Sequence, residues 1–336
     1  MSRMLTVENL SISFRTDEGT VTPVQSVSFS VEKGRTLGLV GESGSGKSVS
    51  TKALMRLLPR TASLGADTRM HYTNKAGQTV EIEKLPDSGE TIRRLRGGEI
   101  GMIFQEPMAS FSPVYTIGNQ MMEAIHLHRD MTRRQARAFA IEMLNKVGIS
   151  NAEARVDQYP HELSGGMRQR AMIALTLSAG PALLIADEPT TALDVTIQAQ
   201  VLDLMRDLQR ELGMGMIFIT HDLGVIAQIA DDVAVMYLGT IVERGPARDV
   251  IRNPQHPYTK GLLAAIPSLD RLHTRLSPVP GDIPSPNARP AGCPFHTRCA
   301  QKITGLCDTK PPREVESLPG RSLRCWLHDE EGRSAA

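Results

Sequence analysis

Thr36-Leu37-Gly38-Leu39-Val40-Gly41-Glu42-Ser43-Gly44-Ser45-Gly46-Lys47-Ser48 passes from a short apolar run through a glycine loop into a helix-forming stretch over 47–58. Strand, glycine loop and helix, in that order, form the setting in which the spacing G-x-x-x-x-G-K-S carries physical meaning. The glycines let successive backbone N–H groups turn inward around a phosphate, and the helix N-terminus adds a positive dipole. Lys47 is then placed to reach β and γ phosphates, and Ser48 to ligate Mg²⁺. Gly41, Glu42, Ser43, Gly44, Ser45, Gly46, Lys47 and Ser48 are therefore candidate nucleotide-binding residues, with ATP and Mg²⁺ the expected ligands.

Further along, Ala182-Leu183-Leu184-Ile185-Ala186 ends in Asp187-Glu188. An acidic pair closing a strand is elsewhere a solvated turn. Behind a phosphate loop it gains a role, Asp187 holding Mg²⁺ through its water shell and Glu188 polarising the attacking water as general base. Apolar runs over 216–220 and 233–237, separated by helical stretches over 194–212 and 222–230, predict a largely parallel sheet covered on both faces. Toward the N-terminus, 5–14 and 24–31 alternate apolar and polar residues and predict an antiparallel edge. Polar composition over 59–99, with a hairpin around Asn74-Lys75-Ala76-Gly77, reads as a surface insertion, and helical spacing over 117–148 followed by a capping Ser164 predicts a helical subdomain over about 117–178.

Leu163-Ser164-Gly165-Gly166-Met167-Arg168-Gln169-Arg170 resembles the LSGGQ signature of ABC ATPases, with Met167 where glutamine is usual. On its own it would be no more than an N-capped helix. In this company it makes 41–48 resemble a Walker A element and 182–188 a Walker B element. Gln105 then resembles the Q-loop glutamine, Ala192-Leu193-Asp194 the D-loop and His221 the switch histidine. The resemblance implies an α/β P-loop NTPase fold of the ABC ATPase type, with Glu188, His221 and Gln105 serving catalysis. It implies Mg²⁺ bound by Ser48, Gln105 and Asp187, and it implies that Ser164, Gly165 and Gly166 close on the γ-phosphate of ATP held by an opposite subunit. Phe14 sits where the family places the aromatic that stacks on adenine, and an ordinary core or edge phenylalanine is the alternative.

Phe104-Gln105-Glu106-Pro107-Met108, Ser112-Pro113 and the segment from Asn253 to Leu263 are similar to the oligopeptide/dipeptide importer branch, over almost the whole chain. That branch implies uptake of peptides, nickel, opines or oligosaccharides. Its expected partners are a second, non-identical ATPase, two membrane permease subunits and a periplasmic or extracellular solute-binding protein, which puts this chain peripherally on the cytoplasmic face of the cell membrane. Ser110-Phe111-Ser112-Pro113 departs from the usual Leu-Asn-Pro, so the solute stays open. A soluble ABC ATPase acting on nucleic acid or the ribosome is the other reading. It would normally bring two cassettes or a long coiled coil, and neither is seen.

The chain of 336 residues has ample length for about two units. Lys and Arg number 38 against 37 Asp and Glu, which gives no basic field to draw nucleic acid or anionic lipid. Neither a secretory leader nor an apolar run of spanning length is apparent, so a membrane role must come through a partner. We expect a nucleotide-binding domain over 1–265 and a proline-dense, separate, loop-rich extension over 266–336. All four cysteines, Cys293, Cys299, Cys307 and Cys325, fall in that extension. Their spacing lacks the C-x₂₋₄-C pairs of structural zinc sites, and four thiolates also suit a [4Fe–4S] cluster. The importer branch is associated with such a cluster, which is expected here, with zinc as the alternative.

Overall fold

The computed structural model describes residues 3–105, 110–191, 193–266 and 279–335. The apolar runs become strands β3 (Thr36–Val40), β7 (Ile100–Ile103), β8 (Leu183–Asp187), β9 (Gly215–Thr220) and β10 (Asp232–Tyr237), nearly all of whose residues are buried. They lie parallel in the order β10-β3-β9-β8-β7. Continuous apolar runs are what strands need when helices cover both faces of a sheet. Parallel register brings the C-terminal ends of β3, β8 and β9 to one edge, Val40 beside Thr220 and Asp187 beside Ile219.

The alternating segments form a second, antiparallel sheet. β1 (Arg3–Thr16) pairs with β2 (Gly19–Glu32), Leu5 opposite Val31 and Val7 opposite Phe29. The polar stretch 59–99 was expected as a surface insertion, and it is more than that. Its strands β4 (Ala62–Leu64) and β5 (Arg69–Thr73) both pair with β1, and β6 (Thr79–Glu81) closes the expected hairpin on β5. Met70, Tyr72, Ile82 and Ile92 are fully buried. Alternation explains the misreading, because the inward residues of β5 are separated by polar ones that mask them in an average.

Three longer helices, Ile117–His128, Arg133–Lys146 and Gly165–Ser178, make the expected helical subdomain. Thr132 and Gln135 form a reciprocal cap at the start of the second. The helix after the glycine loop, Lys47–Leu54, is four residues shorter than expected. Arg56 adopts φ 50° there, and the Leu57 N–H turns back to the Lys52 carbonyl at 2.9 Å. That left-handed residue ends the helix.

The C-terminal extension is loop-rich as expected, but it is not separate. β13 (Arg321–Leu323) pairs with β11 (Thr240–Pro246), which pairs with β10, and β12 (Val315–Leu318) adds the outermost strand, so one sheet carries eight strands. Arg321 meets Glu243 at 2.6 Å with side chains 2% and 0% exposed. The Glu243 carboxylate also accepts the Gln255 and His256 N–H groups at 2.9 and 3.0 Å. A buried charge this fully partnered ties the extension to the sheet, since losing either partner would leave the other stranded.

Candidate active site

Residues of the predicted site gather where strands end. Within the glycine loop, a Cβ on Gly46 would lie 2.8 Å from the Pro23 carbonyl oxygen, and φ there is 96°, so the loop needs glycine at this point. The buried Lys47 ammonium turns back on its own loop. It donates to the Gly41 and Glu42 carbonyls at 2.7 and 2.9 Å and to Ser45 Oγ at 3.3 Å. Burial lowers its pKa, against the attraction of Glu188, Asp187 and Glu42.

Ser48 Oγ donates to Asp187 Oδ1 at 2.9 Å, bringing the second residue of the helix after the loop onto the last residue of β8. Burial pushes the Asp187 carboxyl up, opposed by the Ser48 hydroxyl and Lys52. One residue on, Glu188 stands at φ 47°, a strained setting for a residue with a Cβ. Three side chains converge on it. Gln105 Nε2 donates to Oε2 at 3.2 Å, Thr191 Oγ1 donates to Oε2 at 2.9 Å, and His221 Nδ1 lies 3.4 Å from Oε1. Gln105, Glu188 and His221 follow β7, β8 and β9, so the sheet assembles a group separated by up to 116 residues of sequence. The carboxyl edge of a parallel sheet is where such folds bind ligands.

Sequence reasoning missed Thr191. The run Glu188-Pro189-Thr190-Thr191 held its signal, a hydroxyl three residues past a carboxylate at a turn. Ser164 caps its helix as expected, accepting the Met167 N–H at 3.3 Å. Among the described residues no hydrogen bond or ion pair joins Ser164, Gly165 or Gly166 to the glycine loop of the same chain, and Gly165 has open space around it. Phe14 is partly buried against the core of the strand layer, opposite Val21 and Ala62. Asp194 caps the helix Val195–Leu212 through the Ile197 N–H at 2.9 Å. Ala192 and Glu106-Pro107-Met108 lie outside the described residues.

Glu42, read from its position as part of the phosphate loop, turns its carboxylate instead to Arg298 of the extension, at 2.8 and 3.1 Å. Its N–H donates to the Tyr258 hydroxyl at 3.0 Å. Near this pair Cys293, Cys299, Cys307 and Cys325 line one small cavity with His256, Phe295 and Trp326. All four are free thiols. Burial pushes the thiols of Cys293 and Cys325 up to about 11 and about 12. The thiols share the cavity without closing on a point, since among the described residues no three cysteine sulfurs lie within 4.8 Å of one another.

This geometry has counterparts in known proteins. Residues 24–191 match the ABC transporter family, and 242–307 match the C-terminal region of oligopeptide/dipeptide transporters. The dipeptide transport ATP-binding protein DppD of Bacillus subtilis is 45% identical over 335 residues, covering 100% of this chain and 98% of its own length. A Brucella abortus protein described as a candidate peptide import ATP-binding protein is 50% identical over 320 residues, covering 93% of this chain and 94% of that one. Among solved structures, the dimeric ABC transporter cassette MJ0796 has a TM-score of 0.63 at 23% identity over 73% of this chain and 99% of that one. The same cassette, solved with ADP and phosphate after hydrolysis, has the same TM-score of 0.63. Glycine loop, strand-end carboxylates and sheet order thus agree with the sequence matches, and the chain belongs to the ABC transporter ATPase family, within the group that carries the oligopeptide/dipeptide transporter C-terminal region.

Proposed function

We propose that this chain binds and hydrolyses ATP as one half of a nucleotide-sandwiching dimer and drives import of a peptide or similar small solute, nickel, opine or oligosaccharide included. The observation that carries the reading is the convergence of Gln105, Thr191 and His221 on Glu188, next to Ser48 and Asp187. Glu188 serves as general base, held by its neighbours at the sheet edge, and His221 and Gln105 orient the reacting groups. Lys47 leaves its loop carbonyls for the β and γ phosphates, which Gly41–Ser48 cradle through backbone N–H groups. Ser48, Asp187 and Gln105 would hold Mg²⁺, and Ser48 Oγ and Asp187 Oδ1 already lie 2.9 Å apart. When bound, Mg²⁺ supplies charge neutralisation between the phosphates. Phe14 is assigned to the adenine.

Ser164, Gly165 and Gly166 act on the nucleotide of the partner subunit. The exposed position of Ser164 and Gly165, and the lack of a bond from any of the three to their own glycine loop, support this, and the dimeric state of MJ0796 is consistent with it. Tyr115, Asn119, Met122, Glu123, His126 and Arg133 line a groove that we assign to a permease helix. Val114, next to Tyr115 in sequence, and Leu127, next to His126, are 70% and 73% exposed. No described helix is long and apolar enough to cross a membrane, so attachment at the cytoplasmic face through permeases follows from this assignment. The expected complex pairs this chain with a non-identical ATPase, two permeases and a solute-binding protein.

The extension is assigned a [4Fe–4S] cluster held by the four cysteines. What supports a shared metal centre, with zinc the alternative, is that all four thiols are free and line one cavity. Its binding would displace protons from thiols that burial keeps neutral.

The test of the leading reading is ATP turnover by the assembled transporter. Glu188→Gln should lower kcat by about 10²–10⁴ while ATP still binds and holds the two ATPases together in sedimentation. Unchanged turnover would remove Glu188 from the chemistry, and subunits that stay apart in saturating ATP would remove the sandwich. Dipeptide uptake that persists without this chain would redirect the solute. For the extension, protein purified without oxygen should carry about four iron and four sulfide per chain, and stoichiometric zinc without iron would overturn the cluster.

A further inference from the structure

A carboxylate in a loop that must receive a polyphosphate is electrostatically out of place. Glu42 is such a residue, near enough for its charge to act on Lys47. The protein answers it from 256 residues away. Arg298 forks onto both Glu42 oxygens, at 2.8 and 3.1 Å, with its own side chain 4% exposed. That geometry is the strong, bidentate form of the pair.

Arg298 is itself fixed from several sides. Its guanidinium donates to the Pro280 and Val279 carbonyls at 2.9 and 3.1 Å and lies 5.8 Å from the Tyr237 ring centre. Phe295, three residues earlier, meets Tyr237 and Tyr258 at 5.2 and 5.4 Å between ring centres. Tyr258 in turn accepts the Glu42 N–H at 3.0 Å, and the Glu42 carbonyl accepts from Lys47 at 2.9 Å. The second residue of the phosphate loop is thus gripped at N–H, carbonyl and carboxylate, and two of those grips come from beyond residue 256.

We propose that Arg298 is a positioning residue for the nucleotide site, a counter-charge lent by the extension that neutralises Glu42 and so permits tight ATP binding. Without it the loop presents a bare carboxylate to the incoming phosphates. Salt should partly relieve that repulsion, because Glu42 is 27% exposed and open to screening. The proposal rests on the ATPase reading above and deepens it.

The experiment measures equilibrium Mg·ATP binding and steady-state turnover in the assembled transporter. Arg298→Met keeps much of the packed stem and removes the charge. It should weaken ATP binding about tenfold, raise KM alike, leave kcat within about twofold and lose part of its defect at high salt. Adding Glu42→Gln to Arg298→Met should return most of the affinity, because the offending charge is gone. A fold-only role predicts no such rescue, so a double variant as weak as Arg298→Met overturns the proposal, as does a single variant that binds like the unaltered protein. If Arg298→Met does not fold, Arg298→Lys decides. Affinity retained to within about threefold supports the counter-charge, and a tenfold loss with unchanged melting temperature refutes it. Failure of the unaltered complex to bind ATP at all would sink the ATPase reading instead.

Discussion

The nucleotide site and the cysteine-bearing extension are built on opposite plans. Around Glu188 the functional groups sit at the ends of buried parallel strands, and the register of β7, β8 and β9 places them. Among the described residues of the extension the strands are the short β12 and β13, a short α-helix spans Glu330–Ala335, and much of the attachment runs through single contacts such as Arg321–Glu243, Arg298–Glu42 and the Phe295 ring cluster. A sheet positions many residues with one rule, whereas isolated contacts position them one at a time. Loss of one contact should therefore cost the extension stability, while the strand-end site should lose chemistry and keep its fold.

The sharpest way to break this contrast is Arg321→Met. It strands the Glu243 carboxylate in the sheet and should cost about 3–5 kcal/mol in chemical denaturation, with much of it recovered when Glu243→Gln is added. A loss below about 1 kcal/mol would mean that the extension only rests on the sheet. Lys47→Ala should do the reverse. It should weaken Mg·ATP binding on the order of a hundredfold, about 2.7 kcal/mol, and leave the melting temperature unchanged or higher, because it removes a cation that burial disfavours. A melting temperature lowered by several degrees would show that the loop depends on Lys47 for its shape.

Two smaller effects refine the picture within the helical subdomain. Ser164→Ala removes the hydroxyl that accepts the Met167 N–H and should cost about 1 kcal/mol, with a larger proportional effect on ATP-driven dimerisation than on binding to the single subunit. Equal effects on both would leave Ser164 a cap and no more. Arg137 pairs with Asp157 on the surface at 2.7 and 2.6 Å. Its hydrogen bond lowers the Asp157 pKa, so the contribution is present above the ordinary carboxylate range and is lost as pH falls through the depressed value. Arg137→Ala should thus cost less than about 1 kcal/mol at neutral pH and nothing measurable in strong acid, and a cost that grows on acidification would contradict the sign.

Much of the strand-end site was legible because its physics is local. An apolar run followed by glycines or carboxylates signals a strand and what lies at its tip, which singled out Gly41–Ser48, Asp187 and Glu188. Gln105 and His221 were legible only through resemblance, as a lone glutamine or histidine after a strand has no signal of its own. The antiparallel layer was half legible, since β1 and β2 are long and alternate, while β5 spreads its buried Met70 and Tyr72 among polar neighbours. Arg298 and Arg321 were not legible. Each finds its carboxylate through pairing across 256 and 78 residues, and no short-range pattern foretells which arginine of a proline-rich tail will be buried.

The Arg321–Glu243 pair bears on modularity. The match to the oligopeptide/dipeptide C-terminal region begins at residue 242, inside β11, so the unit shared with other proteins already reaches into the sheet. An exchange of extensions between relatives made near residue 266 would cut across the matched region and separate Glu243 from Arg321, which lies beyond it. A chimaera joined before β11, carrying strand, carboxylate and arginine together, keeps the pair intact. Inheritance of this extension is therefore a matter of passing on a lock with its key.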